Sequence, residues 1–121
     1  PTASFRTGLN AADWSADWIT GGDTANLLRK EFSTTVEDGG SATLFVSGVG
    51  YAEVQINGAK VGDGKLGPGW SDNTKRDYYE TFDVTSMLTG SGKNAIGTSL
   101  GNGSTADRTR DLHNPGYALP L

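Results

Sequence analysis

Residues 51–61 read Tyr-Ala-Glu-Val-Gln-Ile-Asn-Gly-Ala-Lys-Val, and they restrict the fold of the chain more tightly than any other stretch. Ala52, Val54 and Ile56 alternate with Glu53, Gln55 and Asn57, a period of two that puts the apolar set on one side of a strand. Asn57-Gly58 then supplies two residues tolerant of the positive φ that a two-residue hairpin demands, and Ala59-Lys60-Val61 starts the return strand. A chain organised around such a hairpin is a sheet protein.

The remaining segments agree with that reading. Residues 26–34 alternate Leu28, Lys30 and Phe32 with Arg29 and Glu31, which predicts a strand at a sheet edge, where lysine is tolerated. Glu37-Asp38-Gly39-Gly40 is a turn signal and residues 42–47 a β-rich run; residues 76–84 and 94–100 are further strands. Residues 83–88 predict one helical turn capped by Asp83 or Thr85, stopped by Gly90-Ser91-Gly92. Trp14 and Trp18, four apart, suit a short helical turn or two contacts on one packed surface, and are expected as core anchors. Glycine makes up 18 of the 121 residues, about twice the usual share, and no ten-residue amphipathic helix stands out. Five or six short strands between Gly-rich turns predict an all-β, antiparallel β-sandwich or jelly roll forming a single domain over 1–121. In this reading, 1–13 is a lead-in and 104–121 a loop with the start of a further strand.

Composition removes several function classes. A net charge of −4 argues against nucleic acid, whose binding needs a basic face. No apolar run is long enough to span a membrane, and the chain opens without the basic and apolar regions of a signal peptide. The absence of cysteine excludes disulfides, thiol nucleophiles and zinc-finger sites, while the single His113, in a predicted turn, excludes paired-histidine chemistry. Gly62-Asp63-Gly64-Lys65-Leu66-Gly67 matches Gly-x-Gly-x-x-Gly, but Pro68-Gly69 follows where a dinucleotide site requires a helix, so a loop is expected.

That loop, residues 62–73, holds the candidate site. Asp63, Asp72, Asn73 and the nearby Asp77 crowd the hard oxygen donors that calcium takes, without the spaced ladder of an EF-hand. Trp70, Tyr51, Tyr78 and Tyr79 offer aromatic faces that could stack on a sugar ring, and Trp70 is the one kept from the core by its Gly/Pro surroundings. Acidic pairs such as Asp72 with Asp77 or Asp83 meet the elementary requirement of a glycosidase, though nothing selects them. Asn102-Gly103-Ser104 is a glycosylation sequon, usable in a eukaryotic secretory pathway.

Taken in order, Leu28-Arg29-Lys30-Glu31-Phe32, Leu44-Phe45-Val46-Ser47-Gly48-Val49-Gly50-Tyr51, Ile56-Asn57-Gly58, Leu66-Gly67-Pro68-Gly69-Trp70-Ser71-Asp72 and Tyr79-Glu80-Thr81-Phe82-Asp83-Val84-Thr85 resemble the N-terminal β-sandwich domain of α-L-rhamnosidases. The similarity covers residues 14–103. It implies a galactose-binding-like jelly roll, lacking C-terminal strands that relatives possess, ahead of an (α/α)6 barrel that carries the catalytic carboxylates. It also implies a secreted or extracellular protein and a non-catalytic, carbohydrate-binding role toward rhamnose-containing oligosaccharide or polysaccharide. The catalytic domain of the same protein would be its partner. In related rhamnose-binding modules an Asp-Asn pair and a carbonyl hold calcium, and Asp72-Asn73 would be that pair, with Asp63 as an alternative ligand. The expected sugar-binding residues are Trp70, Asp72, Asn73 and Tyr51, and the expected metal ligands Asp72, Asn73 and Asp63. Two other functions compete: a purely structural domain packed on the catalytic barrel, and a small two-carboxylate hydrolase.

Overall fold

A computed structural model describes residues 3, 5, 7–21, 26–37, 39–64, 67–69, 71–72, 74–89, 91–101 and 119–120. Trp70, Asn73, the sequon at Asn102 and His113 lie outside the described residues. Among the described residues, eight strands run in chain order: β1 Trp18–Ile19, β2 Leu27–Thr35, β3 Thr43–Ser47, β4 Tyr51–Ile56, β5 Ala59–Lys60, β6 Tyr79–Asp83, β7 Ser91–Gly101 and β8 Leu119–Pro120. Every pairing is antiparallel. One sheet has the order β2-β7-β4-β5, a second pairs β3 with β6, and β1 pairs with β8. The all-β, antiparallel, sandwich-like architecture expected from the alternation is therefore present.

The hairpin that dominates the sequence joins β4 to β5 with the geometry its residues favour. Asn57 has φ +52° and Gly58 +81°, both in the left-handed region that a primed turn requires. Asn57 also fixes the turn to its surroundings. Its side-chain amide donates to the Met87 carbonyl (2.9 Å) and to Oδ1 of Asn94 (2.7 Å), while its own Oδ1 accepts from the Ala95 amide (2.9 Å). Asn94 is 1% exposed, and its Oδ1 accepts from the Thr89 amide (2.9 Å) and hydroxyl (3.1 Å) as well. One buried carboxamide thus ties β7 to the turn and to Thr89, two residues past the 3-10 helix Thr85–Met87.

The core lies between the two larger sheets. Val46, Val54, Ile56, Val61, Val84, Ile96 and Leu100 are buried, with Leu28, Phe32, Leu44 and Phe82 packed against them. Ile56, at 2% exposure, is the kind of side chain whose truncation to alanine costs about 2–5 kcal/mol. β2 is an edge strand, as its lysine suggested, and Arg29 pairs with Glu31 along it at 2.9 Å. The strand expected over 76–84 begins only at Tyr79, because the Arg76 amide is turned back onto the Asp72 carbonyl.

The tryptophans differ from expectation. Trp14 follows a 3-10 turn, Ala11–Asp13, and is half-buried; Trp18 opens β1 and is 47% exposed. Neither belongs to the buried core. The β3–β6 sheet explains why: its register pairs Leu44 with Phe82 and Val46 with Glu80 on the core side, and Phe45 with Thr81 and Ser47 with Tyr79 on the other. Residues 7–18 border that outer side, so Trp14 and Trp18 meet the back of a two-stranded sheet instead of the space between sheets.

Candidate functional site

Asp72 sits at the head of a tight turn. Its carbonyl accepts from the Lys75 (2.8 Å) and Arg76 (3.0 Å) amides, and its Oδ1 from the Thr74 hydroxyl (2.6 Å) and amide (3.2 Å). Oδ2 pairs with Lys75 Nζ at 2.9 Å. The Thr74 hydroxyl first, then Lys75 and the Thr74 amide, hold the carboxyl below its ordinary range, so it is an anion at neutral pH. A cation approaching Oδ2 would meet the ammonium of Lys75, whose side chain is 74% exposed and therefore has room to turn away. Calcium takes 6–8 oxygens. Among the described residues Asp72 supplies one carboxylate, and no group of three or more His, Cys, Asp or Glu side chains gathers for a metal.

Asp63 and Tyr51 lie elsewhere. Asp63 lines a cavity of about 130 Å³ shared by Glu53, Lys60, Gly67, Pro68 and Glu80. Lys60 Nζ and Glu53 Oε2 are 2.7 Å apart there, and their contact lowers the Glu53 pKa and raises that of Lys60. The Tyr51 ring lies against Gly101, where an added Cβ would fall 2.9 Å from its Cδ1. The structure thus places Asp63 beside the Glu53–Lys60 pair, in a cavity that Asp72 does not line.

A different cleft collects aromatic rings. Leu9, Asn10, Ala11, Trp14, Trp18, Ser47, Asp77 and Tyr79 surround about 270 Å³ at one end of the β3–β6 sheet. Trp14 and Tyr79 face each other with ring centres 5.5 Å apart and a 44° tilt, and Phe45 stands 6.0 Å from Tyr79. Local bonds set these rings. Asn10 donates its amide to Asp13 Oδ2 (2.9 Å) and accepts the Asp13 amide (3.0 Å), which closes the turn that delivers Trp14. The Leu9 amide donates to the Tyr79 hydroxyl (3.2 Å), and the Ser47 hydroxyl donates to the Tyr78 carbonyl (2.8 Å). Asp77, on the cleft rim, follows Asp72 by five positions in the chain. Tyr79 was among the aromatics considered from sequence; Trp14 and Trp18 were missed as site residues because their spacing resembles a packing stripe, and only the exposure of Trp18 contradicts it.

A two-layer antiparallel domain with an aromatic cleft outside its smaller sheet is the class these features define. Residues 37–117 match the model of the α-L-rhamnosidase N-terminal domain. The chain is 35% identical over 105 residues to an α-L-rhamnosidase of Streptomyces avermitilis, covering 80% of this chain and 10% of that protein. Its fold resembles that of an α-L-rhamnosidase from Dictyoglumus thermophilum with a TM-score of 0.72 and 31% identity, over 91% of this chain and 14% of that one. It also resembles the Streptomyces avermitilis α-L-rhamnosidase solved in complex with L-rhamnose, with a TM-score of 0.63 and 32% identity, over 81% and 10% of the two chains. The chain belongs to the α-L-rhamnosidase N-terminal domain family. It spans about a tenth to a seventh of the relatives it matches.

Proposed function

We propose that this domain is a non-catalytic accessory module of an α-L-rhamnosidase, which holds rhamnose-containing glycan close to a catalytic domain in the same protein. The observation that carries the sugar-binding part is the cleft of about 270 Å³ walled by Trp14, Trp18 and Tyr79 and edged by Asn10, Ser47 and Asp77. Such a space is near the lower end of small-molecule sites and suits a single sugar ring: the aromatic faces match the apolar side of a pyranose, and the polar edge matches its hydroxyls. Asp72 and Asn73 are the residues that would hold a calcium ion, whose role would be to coordinate vicinal hydroxyls.

The non-catalytic part follows from what the acids already do. Asp72 is engaged by Thr74 and Lys75, and Asp83 accepts the Thr85 amide at 3.0 Å. Glycoside hydrolysis needs one carboxyl kept protonated and a second kept ionised across a sugar. The depressed pKa of Asp72 opposes an acid role for it. Isothermal titration of the chain with L-rhamnose, with and without a chelator, tests the proposal. Saturable heat supports binding, and its loss with chelator assigns calcium a part; no heat at millimolar sugar contradicts the reading.

A further inference from the structure

The outer side of the β3–β6 sheet carries a second space beyond the aromatic cleft. Thr7, Gly8, Thr43, Phe45, Thr81 and Asp83 surround about 440 Å³ there. The two spaces adjoin along the strands. Ser47 and Tyr79 line the first, while their neighbours two and four positions along, Phe45, Thr43, Thr81 and Asp83, line the second. Phe45 and Tyr79 meet where the two spaces join, with ring centres 6.0 Å apart. Residues 7–11 run from one to the other, Thr7 and Gly8 lining the second and Leu9, Asn10 and Ala11 the first, with Gly8 set so close to the Tyr79 hydroxyl that an added Cβ would lie 2.7 Å from it.

From the pair Ser47–Tyr79 to the pair Thr43–Asp83 is four residues of strand, roughly 13 Å at about 3.3 Å per residue. That length exceeds a single sugar ring. The surface along it alternates aromatic rings with hydroxyl and carboxylate groups, the mixture that serves both the apolar face and the hydroxyls of a sugar. The charged groups lining the two spaces, Asp77 and Asp83, are both acidic, and among the described lining residues there is no lysine or arginine. Such a groove repels a polyuronate.

We infer that the outer face of the β3–β6 sheet is an extended groove for a neutral oligosaccharide, with Trp14 and Tyr79 holding one ring and Phe45, Thr43 and Thr81 the next. This inference rests on the sugar-binding reading above and adds length and charge to it. Direction follows from the geometry: a ligand that fills both spaces lies along the strands, and each ring added should raise affinity until the strands end.

The test compares L-rhamnose with a linear, neutral, α-linked rhamnose trisaccharide on the same chain, by calorimetry and by backbone amide shifts. The groove predicts at least tenfold tighter binding of the trisaccharide. Shifts should reach Thr43, Phe45 and Thr81 with the trisaccharide but stay near Trp14 and Tyr79 with the monosaccharide. Thr81→Arg, at an exposed strand position, should abolish the tenfold gain. Equal affinities with shifts confined to the first cleft would overturn the groove while leaving the accessory role intact. Failure of both sugars to bind would remove the underlying reading and the groove with it. A uronate-containing oligosaccharide of the same length binding as tightly as the neutral one would overturn the charge argument.

Discussion

Asn94→Ala should weaken the domain more than its small size suggests. The side chain is 1% exposed, and its Oδ1 receives three donors: the Asn57 side-chain amide, the Thr89 amide and the Thr89 hydroxyl. Each such bond contributes about 0.5–1.5 kcal/mol, and a donor left buried without a partner costs more. Thr89 and Asn57 are exposed enough to recruit water, which lowers the total. The expected loss is therefore about 2–3 kcal/mol, within the range for breaking a buried network. For a chain of this size it would appear as a drop in melting temperature of roughly 8–12 °C. Urea unfolding followed by tryptophan fluorescence should show a lower midpoint with an unchanged slope. The decisive form is a double-mutant cycle with Asn57→Gly, which keeps the left-handed turn but deletes the one bond the two side chains share, Asn57 Nδ2 to Asn94 Oδ1; the two losses should overlap by about 1 kcal/mol. Strict additivity, or an Asn94→Ala loss below about 0.5 kcal/mol, would refute the network as a source of stability.

Three further expectations concern packing, acidity and binding. Gly62 has φ +68° and would bring a Cβ within 2.6 Å of Phe82 Cε1, so Gly62→Ala combines backbone strain with overpacking; urea unfolding should show a loss of about 2–4 kcal/mol. The Glu53 and Asp72 carboxyls are held below their ordinary values of 4.5 and 3.8, so the stabilisation they give is complete above those values and disappears as pH falls through the lower folded ones. Melting temperature should hold steady on descending to pH 5 and fall below pH 4.5, more shallowly in Glu53→Gln. The Lys60 shift runs upward, so its share persists below 10.5 and is lost at higher pH. Tyr79→Ala should raise the dissociation constant for L-rhamnose about tenfold by calorimetry, through loss of the ring facing Trp14, whereas Tyr79→Phe, which keeps the ring, should change it by less than about threefold.

Much of the architecture was legible because period-two alternation is a local property of a strand. The β4–β5 hairpin, the edge position of β2 and the turn at Asn57-Gly58 all follow from neighbouring residues. The site was less legible, because cavities form between segments distant in sequence. Leu9 meets Tyr79 across 70 positions, and Ser47 meets Tyr78 across 31. Trp14 and Trp18 therefore resemble core anchors until the outer side of the β3–β6 sheet is known. Asp63 and Asp72 look like one acidic cluster along the chain, yet Lys60 and Glu53 surround the first while Thr74 and Lys75 engage the second. Proximity in sequence indicated shared chemistry, and the turns on either side directed the two carboxylates to different partners.

A sugar ring in the aromatic cleft would be detected by the amides that surround it. The most direct measurement follows backbone and indole amide resonances of the chain as L-rhamnose is added to several times a dissociation constant of about 1 mM. Sugar binding in the cleft should give saturable shifts at Asn10, Trp14, Trp18, Ser47 and Tyr79, converging on one dissociation constant. Shifts that never saturate, or that saturate only at residues remote from these five, would contradict it.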